Sequence, residues 1–418
     1  MSPPPIVCGL LVAMVGLWPS NAADWTLWGG NYRNFQTESP DRLADSFFPL
    51  WERNLGDGYS AIAILGNTLY TTYRRDAAAW QFFTDDQEVV VALDATTGRT
   101  KWEFAYDVEF RSDQGSGPHV MPQVVGELVF SVGAAGKLHA LKAATGELVW
   151  QLDLYQALGA RRPQFGYSSH PLPYRDKLIV VGGGKGRSVA AIEQKTGRVV
   201  WAAHTFRNAY SSPVLITIGG RDQVVVLAAQ QIMGLDPANG EAVWVRRFST
   251  DPAMAFCSTP LWDPATRVLI YSGAYGVGST ALRITGSSTV VQLWRENRLQ
   301  SLFSNMLLHE DTVYMSKGYH GPSFLTAVDI QTGRIRWSAR GFPNANFLMA
   351  GGKLFILDED GWFSVARPNK DGSLQVLSKA RVLSHNAWTV PTLAGTTLYL
   401  RDRKIIRALS LKPAQQRL

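Results

Sequence analysis

Apolar residues along this chain come in short runs separated by Gly-, Asn- and Asp-bearing turns, the pattern of many brief β-strands. One arrangement recurs. Val90 to Phe104 reads VVALDATTGRTKWEF: an apolar strand ending in Ala92-Leu93-Asp94, a Thr97-Gly98 turn, and a second strand with Trp102 four residues after the glycine. It returns as LHALKAATGELVW, VAAIEQKTGRVVW, IMGLDPANGEAVW and LTAVDIQTGRIRW, ending at Trp150, Trp201, Trp244 and Trp337. Before each copy lie a hydroxyl- or amide-rich loop, an apolar strand, a tight turn and another strand. Each unit therefore predicts four strands, A to D, with the motif supplying C, its turn and D.

Spacing gives the number of units. Gly98, Gly146, Gly197 and Gly240 recur at intervals of 43 to 51 residues, and Gly333 stands two intervals beyond Gly240. The gap is filled by a degenerate copy, TALRITGSSTVVQLWRE, with Ala281, Gly286 and a displaced Trp294. Two weaker units follow. One has Ser364 at the small-residue position, Gly372 at the turn and Leu377 where Trp is expected; the other supplies only strands A to C before Leu411. A spare D-like strand around Trp51 completes that last unit. Eight units closed by an N-terminal strand predict an all-β fold, an eight-bladed β-propeller of four-stranded antiparallel blades. A linear solenoid would need capping units and no such exchange. The Asp, Thr and Gly of each copy read as turn chemistry, and the tryptophans as packing between blades.

The domain reading is 1–22 as a cleaved signal peptide, 23–47 as an extended strap on the propeller surface, 48–411 as the propeller and 412–418 as a disordered tail. Ile6 to Trp18 is apolar and uncharged, shorter than the roughly 20 residues a membrane span needs, and Ser20-Asn21-Ala22 offers small residues at a cut site. The leader MSPPP lacks Lys and Arg, and no lipobox follows the apolar run. Export places the protein in the periplasm or outside the cell. With 46% hydrophobic residues the chain has ample core, and a formal charge of +7 over 418 residues lacks the clustered basic footprint of a nucleic-acid binder. Cys8 lies in the leader, so Cys257 is a lone thiol, read as a small buried residue.

The x-A-x-D-x-x-T-G-x-x-x-W pattern resembles the tryptophan-docking motif of the pyrroloquinoline quinone (PQQ) repeat family. The resemblance covers about Trp51 to Leu411. DWTLWGGNYRNF at Asp24, GAYGVG at Gly273 and NAWTVPTLAGTTLYLRD at Asn386 are similar to its BamB-like branch, beside the quinoprotein alcohol dehydrogenase-like branch. The family implies an eight-bladed propeller. Its dehydrogenases imply PQQ with Ca²⁺, but this chain has no vicinal Cys pair and no clear match to their calcium and Asp-base motifs.

In a propeller the D–A and B–C loops share one face, at the mouth of the central channel. Strand-entry residues there form a polar and aromatic series: Tyr59-Ser60, His119, Tyr167-Ser168, Tyr210-Ser211, Ser258, Ser304, Asn346, and Asn386 with Trp388. They read as a ring of donors around a ligand, or as hydroxyls and amides that bond local backbone. B–C residues Arg74, Arg75, Lys137, Lys185, Arg187, Lys317, His320, Arg401 and Arg403 suit an anionic ligand such as PQQ, or form a solvated rim with Asp76, Asp85, Asp86, Asp358, Glu359 and Asp360. Asp358 to Gly361 lacks the later bidentate Glu of a calcium loop and reads as a hairpin turn. Gly182 to Gly186 lacks Walker spacing and reads likewise. There is no nucleophile elbow, and the histidines lack metal-ligand spacing. The expected function is an exported, monomeric, non-catalytic scaffold whose loop face binds a protein partner or small ligand, with no nucleic acid and no transmembrane segment. The alternative is a PQQ-dependent periplasmic oxidoreductase acting on an alcohol or sugar.

Overall fold

The computed structural model describes residues 24–38, 42–75, 86–113, 115–248, 256–318, 322–384 and 386–413. The expected leader and nearly all of the expected tail lie outside these residues, as do Asp76, Asp85 and His320. Eight sheets follow one another around a ring, each built from strands A to D in order. Blade 1 comprises Ala63–Leu65, Thr68–Arg75, Gln87–Asp94 and Thr100–Asp107. Blade 8 takes Thr392–Ala394, Thr397–Arg401 and Ile405–Ser410 from the C-terminal end and its D strand, Phe48–Asn54, from the N-terminal end. The one described helix, Leu154–Leu158, lies in the connection after blade 2.

Position within the blade explains the composition of each strand. Strand C of blade 1 is covered on both faces by neighbouring blades, and Val89 to Leu93 have no exposed surface. Such a strand reads as a continuous apolar run. Strand D is outermost and alternates: Trp102 is buried while Lys101 and Glu103 face outward. At the C–D turn the Asp94 carboxylate accepts from the Thr96 and Thr97 amides and the Thr97 hydroxyl. That turn is reproduced at Asp329.

The tryptophans join each blade to the next. The indole N–H of Trp51, Trp102, Trp150, Trp201 and Trp294 donates to the carbonyl of Ala95, Ala143, Gln194, Pro237 and Ile330, at 2.8 to 3.2 Å. Each acceptor belongs to the C–D turn of the following blade. The same ring covers that turn's glycine: a Cβ on Gly146, whose φ is +76°, would lie 2.5 Å from Trp102. A β-bulge before each Trp turns its ring toward this position. Blade 5 has the degenerate turn, and there a relay replaces the direct bond. Trp244 donates to Gln223 of its own blade, and the Gln223 amide donates to Ser287 O in blade 5.

Blade 7 departs from the expected register. Leu377 falls in the bulge, so Ser378, opposite Val365, stands where other blades place Trp. The N-terminal segment covers this seam instead. Phe47 packs edge-on against Phe363 at 4.9 Å, Lys353 donates to Leu43 O and pairs with Asp45, and Ser378 donates to Asp45 O.

Residues 24–37 of the expected surface strap do not lie on the outer surface; they run through the channel against the innermost strands, where Trp25, Trp28 and Phe35 find apolar cover and the backbone finds partners. Trp25, 2% exposed, bridges Ile64 of blade 1; Thr26 O accepts from Val124 of blade 2; Arg33 donates to Pro173 O of blade 3. Gln36–Thr37 adds a parallel fifth strand to blade 7 beside Met349 and Ala350.

Two substitutions separate the parts of the inter-blade contact. Trp102→Phe removes the indole N–H together with the part of the ring that lies over Gly146, keeps a smaller aromatic side chain, and should lower unfolding free energy by about 2 kcal/mol. Trp102→Ala also empties the space over Gly146 and should cost about 3–5 kcal/mol. Urea denaturation checks both, and equal losses would show that a smaller aromatic ring at this position restores nothing of the contact.

Candidate functional site

The strap closes the channel from the A–B-turn side and leaves a cavity of about 600 Å³ at the opposite mouth, where the D–A and B–C loops converge. Trp28 forms its floor. The Trp28 ring stacks on His170 at 3.8 Å and 7°, and its indole N–H donates to Thr259 at 2.9 Å. Along one wall runs a column of rings: Phe303 on Trp388 (4.9 Å), Trp388 on Tyr59 (5.1 Å) and Tyr59 on His119 (5.5 Å).

Eight of the residues expected from the sequence line this cavity: Tyr59, His119, Ser168, Tyr210, Ser258, Ser304, Asn346 and Trp388. Several have already spent their polar groups inside the fold. Ser258 donates to Ser304 O at 2.6 Å, Asn346 accepts from Asn305 N and donates to Trp388 O, and Ser168 donates to Tyr210 O. These bonds tie one D–A loop to the next, which is the local-backbone role weighed above.

The remaining candidates among the described residues lie elsewhere. Ser60 is buried beneath the loop and bonds Ala61 O and Thr72 N; Ser211 donates to Ser258 O; Tyr167 is 1% exposed. Asn386 sits at φ +67° in the loop before Trp388 and is absent from the lining. The cationic reading needs correction. Arg74 and Arg401 are 1% and 0% exposed and serve the scaffold. Arg74 pairs with Asp86 and reaches Phe110 O and Ser116 O. Arg401 bonds Ser60 O, Thr71 Oγ1 and Thr72 O, and burial pushes its guanidinium pKa down to about 10. Lys185 is exposed on the hairpin between Lys177–Gly184 and Arg187–Glu193, and Lys317 lies over the Phe324 ring. Asp358 to Gly361 is a hairpin turn, with Asp358 accepting from Trp362 N.

Glu359 is the charged side chain in the lining. Asn344 Nδ2 and Trp388 Nε1 both donate to its Oε2, at 2.8 and 3.0 Å. Sequence reasoning placed Glu359 only among offsetting acids, and it missed Trp28, His170, Ser212 and Thr259 as lining residues. The last three stand one or two positions past residues that were named, so the strand-entry signal was present but its phase was not. Trp28 lies in an aperiodic segment and gave no signal. Cys257, half-buried, also lines the cavity, and desolvation pushes its thiol up to about 12, which disfavours the thiolate.

PQQ does not fit this lining. Its carboxylates would meet one carboxylate and no Lys or Arg. Among the described residues no group of three His, Cys, Asp or Glu side chains gathers to hold a cation.

Burial keeps both cavity histidines neutral. Desolvation lowers His119 to about 4 and His170 to about 3, with His119 adding to the depression of His170. His170 Nδ1 shares a 2.9 Å bond with Ser212 Oγ while Nε2 has no partner. A depressed histidine pKa favours the neutral folded form. The unfolded chain takes up protons first as pH falls below about 6.5, so this contribution to stability is lost from there toward the folded value, at up to about 1.4 kcal/mol per pH unit. His170→Gln should lose about 1 kcal/mol of stacking at pH 7. Its deficit against the parent should then narrow as denaturation is repeated at pH 6, 5 and 4; a constant deficit would show that His170 does not resist protonation.

Comparison with known proteins agrees with this architecture. Residues 85–339 match the family model described as outer membrane protein assembly factor BamB, the PQQ_2 family. The BamB of Yersinia pestis is 24% identical over 298 residues, covering 68% of this chain and 72% of that protein. The crystal structure of BamB from Moraxella catarrhalis superposes with a TM-score of 0.60 at 20% identity, over 89% of this chain and 99% of that one. The quinohemoprotein alcohol dehydrogenase ADHIIG from Pseudomonas putida HK5 superposes at 0.70 with 13% identity, over 95% and 82%. The structural likenesses speak for the fold, and the family match covers more than half of the sequence. With its eight blades and recurring Ala-x-Asp…Gly…Trp units, the chain belongs to the PQQ-repeat, BamB-like family of β-propellers.

Proposed function

We propose that this protein is an exported, monomeric and non-catalytic binding propeller that presents its loop face to a protein partner in the periplasm, in the manner of an outer-membrane assembly factor. The observation that carries the reading is the chemistry of the cavity mouth. Its hydroxyls and amides largely hold adjacent loops to one another, which leaves a wall of aromatic rings and one oriented carboxylate for contact with a partner. Aromatic groups in a rigid concave surface are the usual anchors of protein recognition. No helix in the described residues is long and apolar enough to cross a membrane. The match to the assembly-factor family supports the same reading.

Two measurements test it. The tagged protein should copurify from envelopes of its native host with the outer-membrane protein assembly machinery. A Tyr59→Ala/Trp388→Ala variant, shown by circular dichroism to be folded, should lose about tenfold or more of that recovery. Titration with PQQ and Ca²⁺, followed by dye-linked assay with alcohols and sugars, should give no turnover. Saturable quinone binding with turnover would replace this reading with the oxidoreductase alternative.

A further inference from the structure

A second cavity, of about 290 Å³, lies between blades 4 and 5 away from the channel. Arg246, Arg247 and Arg295 line it, together with Tyr271, Thr280 and Gln292. Comparing the repeats with one another shows why it stands out. Arg246 is two residues after its blade's Trp, and Arg295 is one residue after the next blade's Trp. At the seam between blades 8 and 1 the same two positions are Arg53 and Glu103, a salt bridge of 4.0 Å. The fold thus brings these positions face to face across a seam. Between blades 4 and 5 it brings two guanidiniums together instead.

None of the three arginines has a carboxylate partner among the described residues. Arg246 donates to Gln292 Oε1 at 2.7 Å, and Arg295 to Asn297 Oδ1 at 3.0 Å and weakly to Val277 O. Beneath them Phe248 stacks on Tyr271 at 5.6 Å, giving the cleft an apolar, low-dielectric back. Burial raises the Tyr271 phenol pKa, while its hydrogen bond with Thr280 and the charges of Arg246 and Arg295 act in the opposite sense. Like charges held against such a wall repel unless an anion joins them.

We infer that this inter-blade cleft is an oxyanion site that takes a phosphate group. One guanidinium fork satisfies the two oxygens of a carboxylate. Two facing guanidiniums, with Arg247 beside them in the lining and the Tyr271 and Thr280 hydroxyls beneath, offer more donors than a carboxylate can fill, and match a tetrahedral group with three free oxygens. Free phosphate and a phospholipid headgroup share this chemistry.

The test titrates the full-length protein with inorganic phosphate against chloride at equal ionic strength, by calorimetry. In parallel it measures sedimentation with phosphatidylglycerol vesicles and with phosphatidylcholine vesicles. Saturable binding of phosphate alone identifies a soluble phosphate compound; added, selective binding of phosphatidylglycerol identifies a headgroup. Either supports the site if Arg295→Glu weakens the response about tenfold or more. That variant restores the Arg–Glu arrangement of the 8–1 seam, so its thermal midpoint should equal or exceed the parent's. Arg246→Gln supplies a second variant that should weaken binding without reversing charge. No saturable binding of either probe, or equal binding by parent and Arg295→Glu, overturns the inference.

Discussion

A ring of sheets closes only if every blade meets its neighbour in the same way, and here that meeting is the indole of one blade set on the C–D turn of the next. The contact combines an apolar ring with one buried donor, so it fixes distance and direction together. Its demands propagate outward. The turn beneath must present a carbonyl and a glycine, the strand behind the Trp must be bulged, and the residue opposite it must be small, as Ala92 is opposite Trp102. Where one demand fails the structure supplies a substitute. Gln223 relays the bond of Trp244, and the Leu43-to-Phe47 segment covers the seam where blade 7 has Ser378.

The same ring creates a hole, and filling it shapes the functional face. Eight inner strands leave an axial channel that exposes backbone edges and apolar side chains. The strap occupies one end, with Trp25 buried beside Ile64 and Trp28 stacked on His170. What remains is a cup. Its floor and wall are rings, its rim is a set of loops stitched to one another, and its charge is that of Glu359. Rigidity comes from the stitching, and a rigid cup loses little conformational entropy on binding.

The fold was legible because its evidence is local: a glycine, a tryptophan four residues on, and a fixed interval between copies. The spare strand at Trp51 made the closure legible too. The cavity was half legible. Strand-entry loops announce themselves by Ser, Asn and Tyr, but which residue points inward depends on a period of two whose phase each loop sets separately. Ser168 and His170 line the cup while Ser169 between them is buried, and Tyr210 and Ser212 line it while Ser211 bonds the next loop. Arg74 and Arg401 were misplaced for a related reason. They stand at strand ends, where sequence suggests solvent, and the adjoining loops fold over them. The path of the strap depends on contacts with blades as far along the chain as Thr259 and Met349, and no local pattern encodes it.

Closure by an N-terminal strand also orders events in time. Phe48–Asn54 leaves the ribosome before any strand of blade 1, yet its sheet partner Ile405–Ser410 is among the last to be made, with Glu52 and Arg407 paired across 355 residues. Seven blades can assemble progressively from neighbouring segments, each at the modest entropic cost of a short loop. The eighth is a contact of very long range, and such contacts form slowly. Until the C-terminal strands arrive, blade 1 lacks the neighbour whose Trp51 covers its turn, Phe48–Asn54 has no strand to pair with, and a blade face stays open at each end of the arc. The seam between the two chain ends is therefore both the last part of the ring to form and the place where truncation at either terminus would open it.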